Sequence, residues 1–251
     1  MKWSRIKSII LYFLIAMNVF MLAFITFTTF RQSTIPSTVV NASLKVLSDA
    51  GFKCDDDIFP TSYYTLPSLS AEFYSANELS DIFFGKQLAF KTVENSLVAT
   101  QGKTTLTVSS NYFVYETFKK PEKKYSREEL IKKIEDMGFN MEGAVYDKKE
   151  NCFYMMHNEK NLFNMYLKVE FDKNGKVCYF SSQWPKKITT QSSKEKVSFV
   201  EDVVKVKKAF PKGGRIKNIE LGYSLSGVNG EKYTFSPAWR VMVNNELKII
   251  E

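Results

Sequence analysis

One histidine, three cysteines and no acidic residue in the first 30 positions are the scarcities of this 251-residue sequence, and each excludes some chemistry. His157, in the polar turn Met156-His157-Asn158-Glu159, is the sole histidine. No close cysteine pair accompanies it, so tetrahedral zinc of the usual kinds lacks ligands. A histidine-based nucleophile system would have to run through His157, and no Gly-x-Ser-x-Gly elbow is present. Cys54, Cys152 and Cys178 are too few, and odd in number, for a disulfide framework. Cys152 and Cys178 fall in candidate strands and could pair in an oxidising compartment, but they read as buried free thiols. Asp55-Asp56-Asp57 resembles the start of a calcium loop, yet the sixth and twelfth positions counted from Asp55 hold Pro60 and Leu66 instead of glycine and glutamate. It reads as a solvated loop. Gly213-Gly214-Arg215 follows a helix pattern and lacks the lysine-hydroxyl pair of a phosphate cradle. No catalytic, cofactor-binding or metal residue is therefore assigned, and the expectation is a non-enzyme without cofactor.

What the sequence does contain, first of all, is an uncharged apolar run over 8–30. At about 1.5 Å rise per residue, such a helix exceeds the roughly 30 Å of a bilayer's hydrocarbon core. Lys2, Arg5 and Lys7 precede it without an acid, whereas Arg31 is the only basic residue just beyond it. The positive-inside bias then predicts a cytoplasmic tail over 1–7, a transmembrane helix over 8–30 and an extracytoplasmic remainder. The run is too long for the apolar region of a cleaved signal peptide, and Phe30-Arg31-Gln32 interrupts its exit. Net charge is +8, and with all 27 acids after the run the remainder carries only a mild basic excess. That excess reads as a solvated surface, with attraction to anionic wall polymers as the sharper alternative. Nucleic acid is not accessible from that side.

Within the run, Asn18 lies beside the midpoint, where a carboxamide has no water to bond. Leu11, Leu14, Ile15, Leu22 and Ile25 share its face at spacings of three, four and seven, which predicts a contact with a partner helix, the alternative being satisfaction of Asn18 by its own helix's backbone or in a self-dimer.

Beyond the run, the charged, proline-centred stretch 119–124 reads as a linker between a first α+β unit, 31–120, and a second, 121–251. The halves echo each other, since the eight residues 45–52 match 132–139 at four positions and each ends a helical pattern with Gly-Phe. Serine followed three residues later by glutamate marks helix starts at Ser75, Ser126 and Ser192. The helices they open are predicted over 76–84, 127–137 and 193–210, the last burying a stripe of Val197, Val200, Val203, Val204 and Lys207. Leu167, Val169 and Phe171 alternate with polar residues before Asn174-Gly175, which predicts a hairpin with a primed turn into 177–181. Further hairpins are predicted across Asn229-Gly230 and Asn244-Asn245, and between 104–108 and 112–118. Helices packed on antiparallel sheet give an α+β ectodomain that should fold without metal.

The opening Met1-Lys2-Trp3-Ser4-Arg5-Ile6-Lys7-Ser8-Ile9, the Met17-Asn18-Val19-Phe20 segment and the terminal Pro237-Ala238-Trp239-Arg240-Val241 resemble the YycI family and its relative YycH. These are membrane-anchored accessory proteins of the WalK/WalR two-component system, which controls cell-wall metabolism in Gram-positive bacteria. The resemblance implies two PepSY- or cystatin-like units behind the anchor, no catalytic residues, and regulation of a WalK-type sensor histidine kinase through transmembrane and extracytoplasmic contacts. It also implies a YycH-like protein as a second partner. Two other readings stay open: a PepSY-like module holding a protease or an anionic wall polymer, and a wall hydrolase whose paired carboxylates leave no local signature.

Overall fold

The computed structural model describes residues 3–229 and 232–250, with side chains described for 7, 10–26, 33–228 and 232–250. Lys2, Gly230 and the side chains of Arg5 and Arg31 lie outside that description. Five helices form: α1 (Trp3–Ser33), α2 (Ser37–Asp49), α3 (Ala76–Phe84), α4 (Arg127–Asp136) and α5 (Phe199–Ala209). The first strands are β1 (Phe52–Lys53), β2 (Tyr64–Glu72), β3 (Lys91–Val93), β4 (Ser96–Gln101), β5 (Thr104–Val108) and β6 (Phe113–Thr117). Then come β7 (Ala144–Asp147), β8 (Cys152–His157), β9 (Lys160–Phe171), β10 (Val177–Ser182) and β11 (Lys187–Val197). The last are β12 (Gly214–Asn229), β13 (Lys232–Val243) and β14 (Glu246–Ile250). The protein is α+β, as its helix and hairpin patterns predict.

The chain forms two compact units, each built from separated stretches. The smaller comprises Met1–Leu66, Lys196–Ile219 and Val241–Glu246, and the larger Pro67–Glu195, Glu220–Arg240 and Leu247–Glu251. They differ from the consecutive segments 31–120 and 121–251, because Pro121, the expected boundary, lies inside the larger unit.

In the smaller unit α2 and α5 pack together. Val40, Ser43 and Leu47 of α2 are buried at helical spacing, as are Phe199, Val203 and Val206 of α5. Phe59 meets Phe199 edge-on, with ring centroids 5.4 Å apart. The helix predicted over 193–210 begins six residues late, at Phe199, and the Ser192/Glu195 box does not form. Those residues lie in β11, where Glu195 accepts a hydrogen bond from Ser68 Oγ of β2 at 2.9 Å. The spacing that caps a helix serves a polar strand equally well, and no apolar residue before Val197 gives that segment a face to bury. The face that α5 buries carries Phe199, Val203 and Val206, so Val204 and Lys207, predicted in the buried stripe, are exposed, Val204 at 71%.

The other two capping boxes are present in full at Ser75/Glu78 and Ser126/Glu129. The repeated helix stop forms as well. Gly51 and Gly138 take φ of 86° and 93°, and the phenylalanines that follow, Phe52 and Phe139, are buried.

In the larger unit the strand order is β11-β2-β13-β12-β9-β10-β6-β5-β4-β3, with β7 and β8 joined to β9. Most pairings are antiparallel, but β12 runs parallel to β9 at Tyr223 and Leu162. The predicted pairing of β5 with β6 forms, as does that of β9 with β10. Leu167, Val169 and Phe171 face the core. The turn between β9 and β10 is not a primed one. Only Gly175 takes a positive φ, 73°, and Asp172 and Lys176 close a three-residue loop through Asp172 N to Lys176 O at 2.8 Å. The side chain of Asp172 explains the difference. One carboxylate oxygen accepts from the Asn174 and Lys176 amides, both at 2.9 Å, and the other from Lys119 Nζ at 2.8 Å.

Lys119, and then those amides, hold the Asp172 carboxyl below the usual carboxylate range. A depressed folded pKa stabilises above the unfolded value, about 3.9, and that contribution is lost as pH falls through the folded value. Asp172→Asn should therefore be less stable than wild type at pH 7, and the gap should narrow below about pH 4. Urea midpoints at both pH values check this; an unchanged gap would show that the carboxylate's charge contributes nothing.

Candidate functional site

Helix α1 is the first of two places where the family-like residues fall. Its backbone is helical throughout Trp3–Ser33. The large apolar side chains between Ile10 and Ile25 are all exposed, from 48% at Met21 to 71% at Tyr12. They point to every side, so the stripe of Leu11, Leu14, Ile15, Leu22 and Ile25 is not distinguished from the rest of the helix surface. Among the described residues no helix is long and apolar enough to cross a membrane.

Asn18 bonds within its own helix, Nδ2 donating to Leu14 O at 2.8 Å. That uses one of its two N–H groups. Thr26 likewise donates to Leu22 O at 2.7 Å, which uses its only O–H. Past the helix, Tyr63 N donates to Ser33 O at 2.7 Å and Ile35 N to Thr61 O at 2.9 Å. The C-terminal end of α1 is thus fastened to the smaller unit's backbone.

The second place is Pro237-Ala238-Trp239-Arg240-Val241, within β13. Tyr233 and Phe235 are buried in alternation, but Ala238 and Trp239 are buried consecutively. The alternation keeps its phase, with Trp239, Val241 and Val243 buried at the same parity as Tyr233 and Phe235, and it is interrupted only at the half-exposed Pro237, which has no N–H for a ladder, and at the additionally buried Ala238. Arg240 stays partly exposed and reaches Glu220 of β12, with Nε 3.1 Å and Nη2 2.6 Å from one carboxylate oxygen. The other oxygen accepts from Asn161 of β9. The guanidinium also lies 4.6 Å from the centroid of the Phe163 ring. A Cβ at Gly222 would collide with Asn161 O and the Phe163 ring. Arg240 is therefore a clamp across three strands, and Glu220, Asn161 and Phe163 had no signal in the sequence beside it.

The remaining candidates for chemistry are placed as follows. His157 Nε2 is 3.2 Å from Thr190 Oγ1, a hydroxyl partner instead of the carboxylate a catalytic histidine uses. Cys152 and Cys178 are free and buried, and burial raises both thiols. Burial, and then Asp55, Asp56 and Asp57, push the Cys54 thiol up to about 11, so it is largely protonated at neutral pH. Asp55 itself pairs with Arg215 at 2.7 Å. A cleft of about 640 Å³ in the larger unit is lined by Phe73, Tyr74, Glu78, Lys186 and Tyr233. There Lys186 pairs with Glu78 and, ahead of the Ser75 amide, lowers the Glu78 carboxyl. Glu78 is thereby held as a structural anion, committed to both a cap and a salt bridge.

No protein-family model and no curated protein matches the chain. Among solved structures, it is similar to an uncharacterized protein from Eubacterium rectale, at 13% identity and a TM-score of 0.43, over 79% of this chain and 85% of that one. It is similar also to YycH from Bacillus subtilis, at 17% identity and a TM-score of 0.46, over 77% of this chain and 53% of that one. Both scores are too low to carry an argument about fold or function.

Proposed function

We propose that this chain is a single-pass membrane protein, N-terminus cytoplasmic, whose extracytoplasmic α+β part regulates a sensor histidine kinase of the WalK type controlling cell-wall metabolism. The observation that carries the membrane reading is the apolar surface of α1. Its exposed leucine, isoleucine and phenylalanine side chains would be costly in water and are matched by lipid. The uncharged run over 8–30 and its basic N-terminal flank support the orientation. The family-like residues at both ends of the chain support the choice of partner, with a YycH-like protein as a second one. No catalytic step is assigned to the protein.

In this reading Asn18 tunes a helix–helix association. Its bond to Leu14 O leaves a second N–H and lone pairs for a partner, and such contacts average only about 0.6 kcal/mol in membranes. A sensor histidine kinase should co-purify with the full-length chain in mild detergent. Asn18→Leu should lower its recovery by several-fold at most, about 2 kcal/mol being the upper limit for such a contact. Thr26→Val, whose hydroxyl is already satisfied on Leu22, should do little. Recovery of other membrane proteins but no sensor kinase would overturn the proposal, and equal recovery with Asn18→Leu would move the contact elsewhere.

A further inference from the structure

The linker-like lysines Lys123 and Lys124 and the β7–β8 turn lysines Lys148 and Lys149, some 25 positions apart in sequence, line one cavity of about 530 Å³ in the larger unit. The Glu122 and Lys123 amides donate to Phe171 O at 3.0 and 3.2 Å and hold the first pair in place. Asp147 Oδ1 accepts from the Lys149 and Glu150 amides, at 2.7 and 3.3 Å, and shapes the turn that carries the second. Tyr125, Tyr146 and Phe171 line the same cavity. Tyr125 packs edge-on against Phe171 at 4.9 Å, and Tyr146 is fixed by its hydroxyl, which donates to Asn151 at 2.8 Å. The Lys123 ammonium lies 5.0 Å from the Tyr125 ring centroid, and a fifth lysine, Lys133, which does not itself line the cavity, lies 4.8 Å from that centroid and 5.5 Å from that of Phe171.

Two carboxylates, Glu122 and Glu170, also line the cavity, and Glu170 is paired with Lys168 at 3.2 Å. None of the five lysines forms an ion pair with a carboxylate among the described residues. A solvated charged face requires no such convergence, and a surface of this kind usually intersperses both signs. Here lysines without a carboxylate at ion-pair distance converge with aromatic side chains on a ligand-sized concavity. Ammonium groups bind phosphate as point charges, while aromatic faces accept the C–H surfaces of a sugar or polyol.

We infer that this cavity binds a phosphate-bearing sugar or polyol chain, with Lys123, Lys124, Lys148 and Lys149 on successive phosphates and Tyr125 and Tyr146 against the carbon backbone between them. The choice of an extracellular polymer as source rests on the proposed orientation; the phosphate chemistry does not.

The full-length chain in phosphatidylcholine nanodiscs, titrated with poly(glycerol phosphate), should bind saturably and more weakly as salt rises. Changing all four rim lysines to glutamine should weaken binding by about tenfold or more, because four modest surface attractions are removed together. Changing Lys45, Lys207, Lys208 and Lys212 of the smaller unit to glutamine removes the same charge and should alter binding by less than about twofold. Tyr125→Leu should weaken the polymer more than inorganic polyphosphate. Absence of saturable binding, or equal losses in the two quadruple variants, would overturn the inference. So would binding to phosphatidylglycerol nanodiscs without binding to the polymer. Kinase recovery by the rim variant is read separately, so failure of the regulatory proposal would leave a positive binding result standing.

Discussion

Phe180→Ala should cost the larger unit about 3–5 kcal/mol, the range for removing a buried phenylalanine. Phe180 is 0% exposed, on β10, at the centre of an aromatic cluster. Its ring centroid lies 4.8 Å from that of Phe139, 5.3 Å from Phe83 and 5.5 Å from Phe113. These residues come from β10, the α4 stop, α3 and β6, so one side chain joins two helices and two strands. Each neighbour is fixed by its own backbone element and cannot collapse into the space vacated, which places the cost toward the upper part of the range. At roughly 2–4 °C per kcal/mol for a domain of this size, the melting temperature should fall by about 10 °C. Phe118→Ala, at a position 69% exposed, should change it by about 1 °C or less. A drop of similar size for both would place the core of the larger unit elsewhere.

The members of that cluster were legible in the sequence only as parts of separate elements. Ser75 and Ser126 announced their helices because a capping box satisfies its partners within one turn, and no distant residue can alter that. Ser192 and Glu195 carry the same spacing, yet the neighbouring strand β2 offered Glu195 a better partner in Ser68. Asn174-Gly175 marked the position of a turn correctly, and its type was decided by Asp172, whose carboxylate could be placed only once Lys119 was brought beside it. Local chemistry therefore located the elements, and long-range contacts settled their limits.

The same division holds for the candidate sites. The apolar run and Asn18 are local signals that needed no structure. Arg240 was visible as part of a terminal motif, but its partners Glu220 and Asn161 are 20 and 79 positions away and leave no trace in spacing. The lysines of the larger unit's cavity read singly as solvated charge, and only the β7–β8 turn and the segment after Lys120 together gather them around Tyr125 and Tyr146.

Helix α1 is proposed both to anchor the protein and to carry its contact with the kinase. Exchange of residues 3–33 for an unrelated apolar helix of equal length separates these roles. The fold beyond Ser33 has its own core in each unit, with Leu47, Phe199 and Val206 in one and Leu69, Phe180 and Phe235 in the other. The exchanged chain should therefore remain folded and membrane-bound, since any sufficiently long apolar helix anchors it. What it should lose is the side-chain pattern that packs against a partner helix. Helix association in lipid depends on such packing and not on apolarity alone. Several packing interactions, each worth a fraction of a kcal/mol and all removed by the exchange, predict a fall in kinase recovery of about tenfold or more, at matched expression and in the same detergent. Recovery of the kinase at wild-type levels with the exchanged helix would contradict that role for α1 and transfer the contact to the part of the chain beyond Ser33.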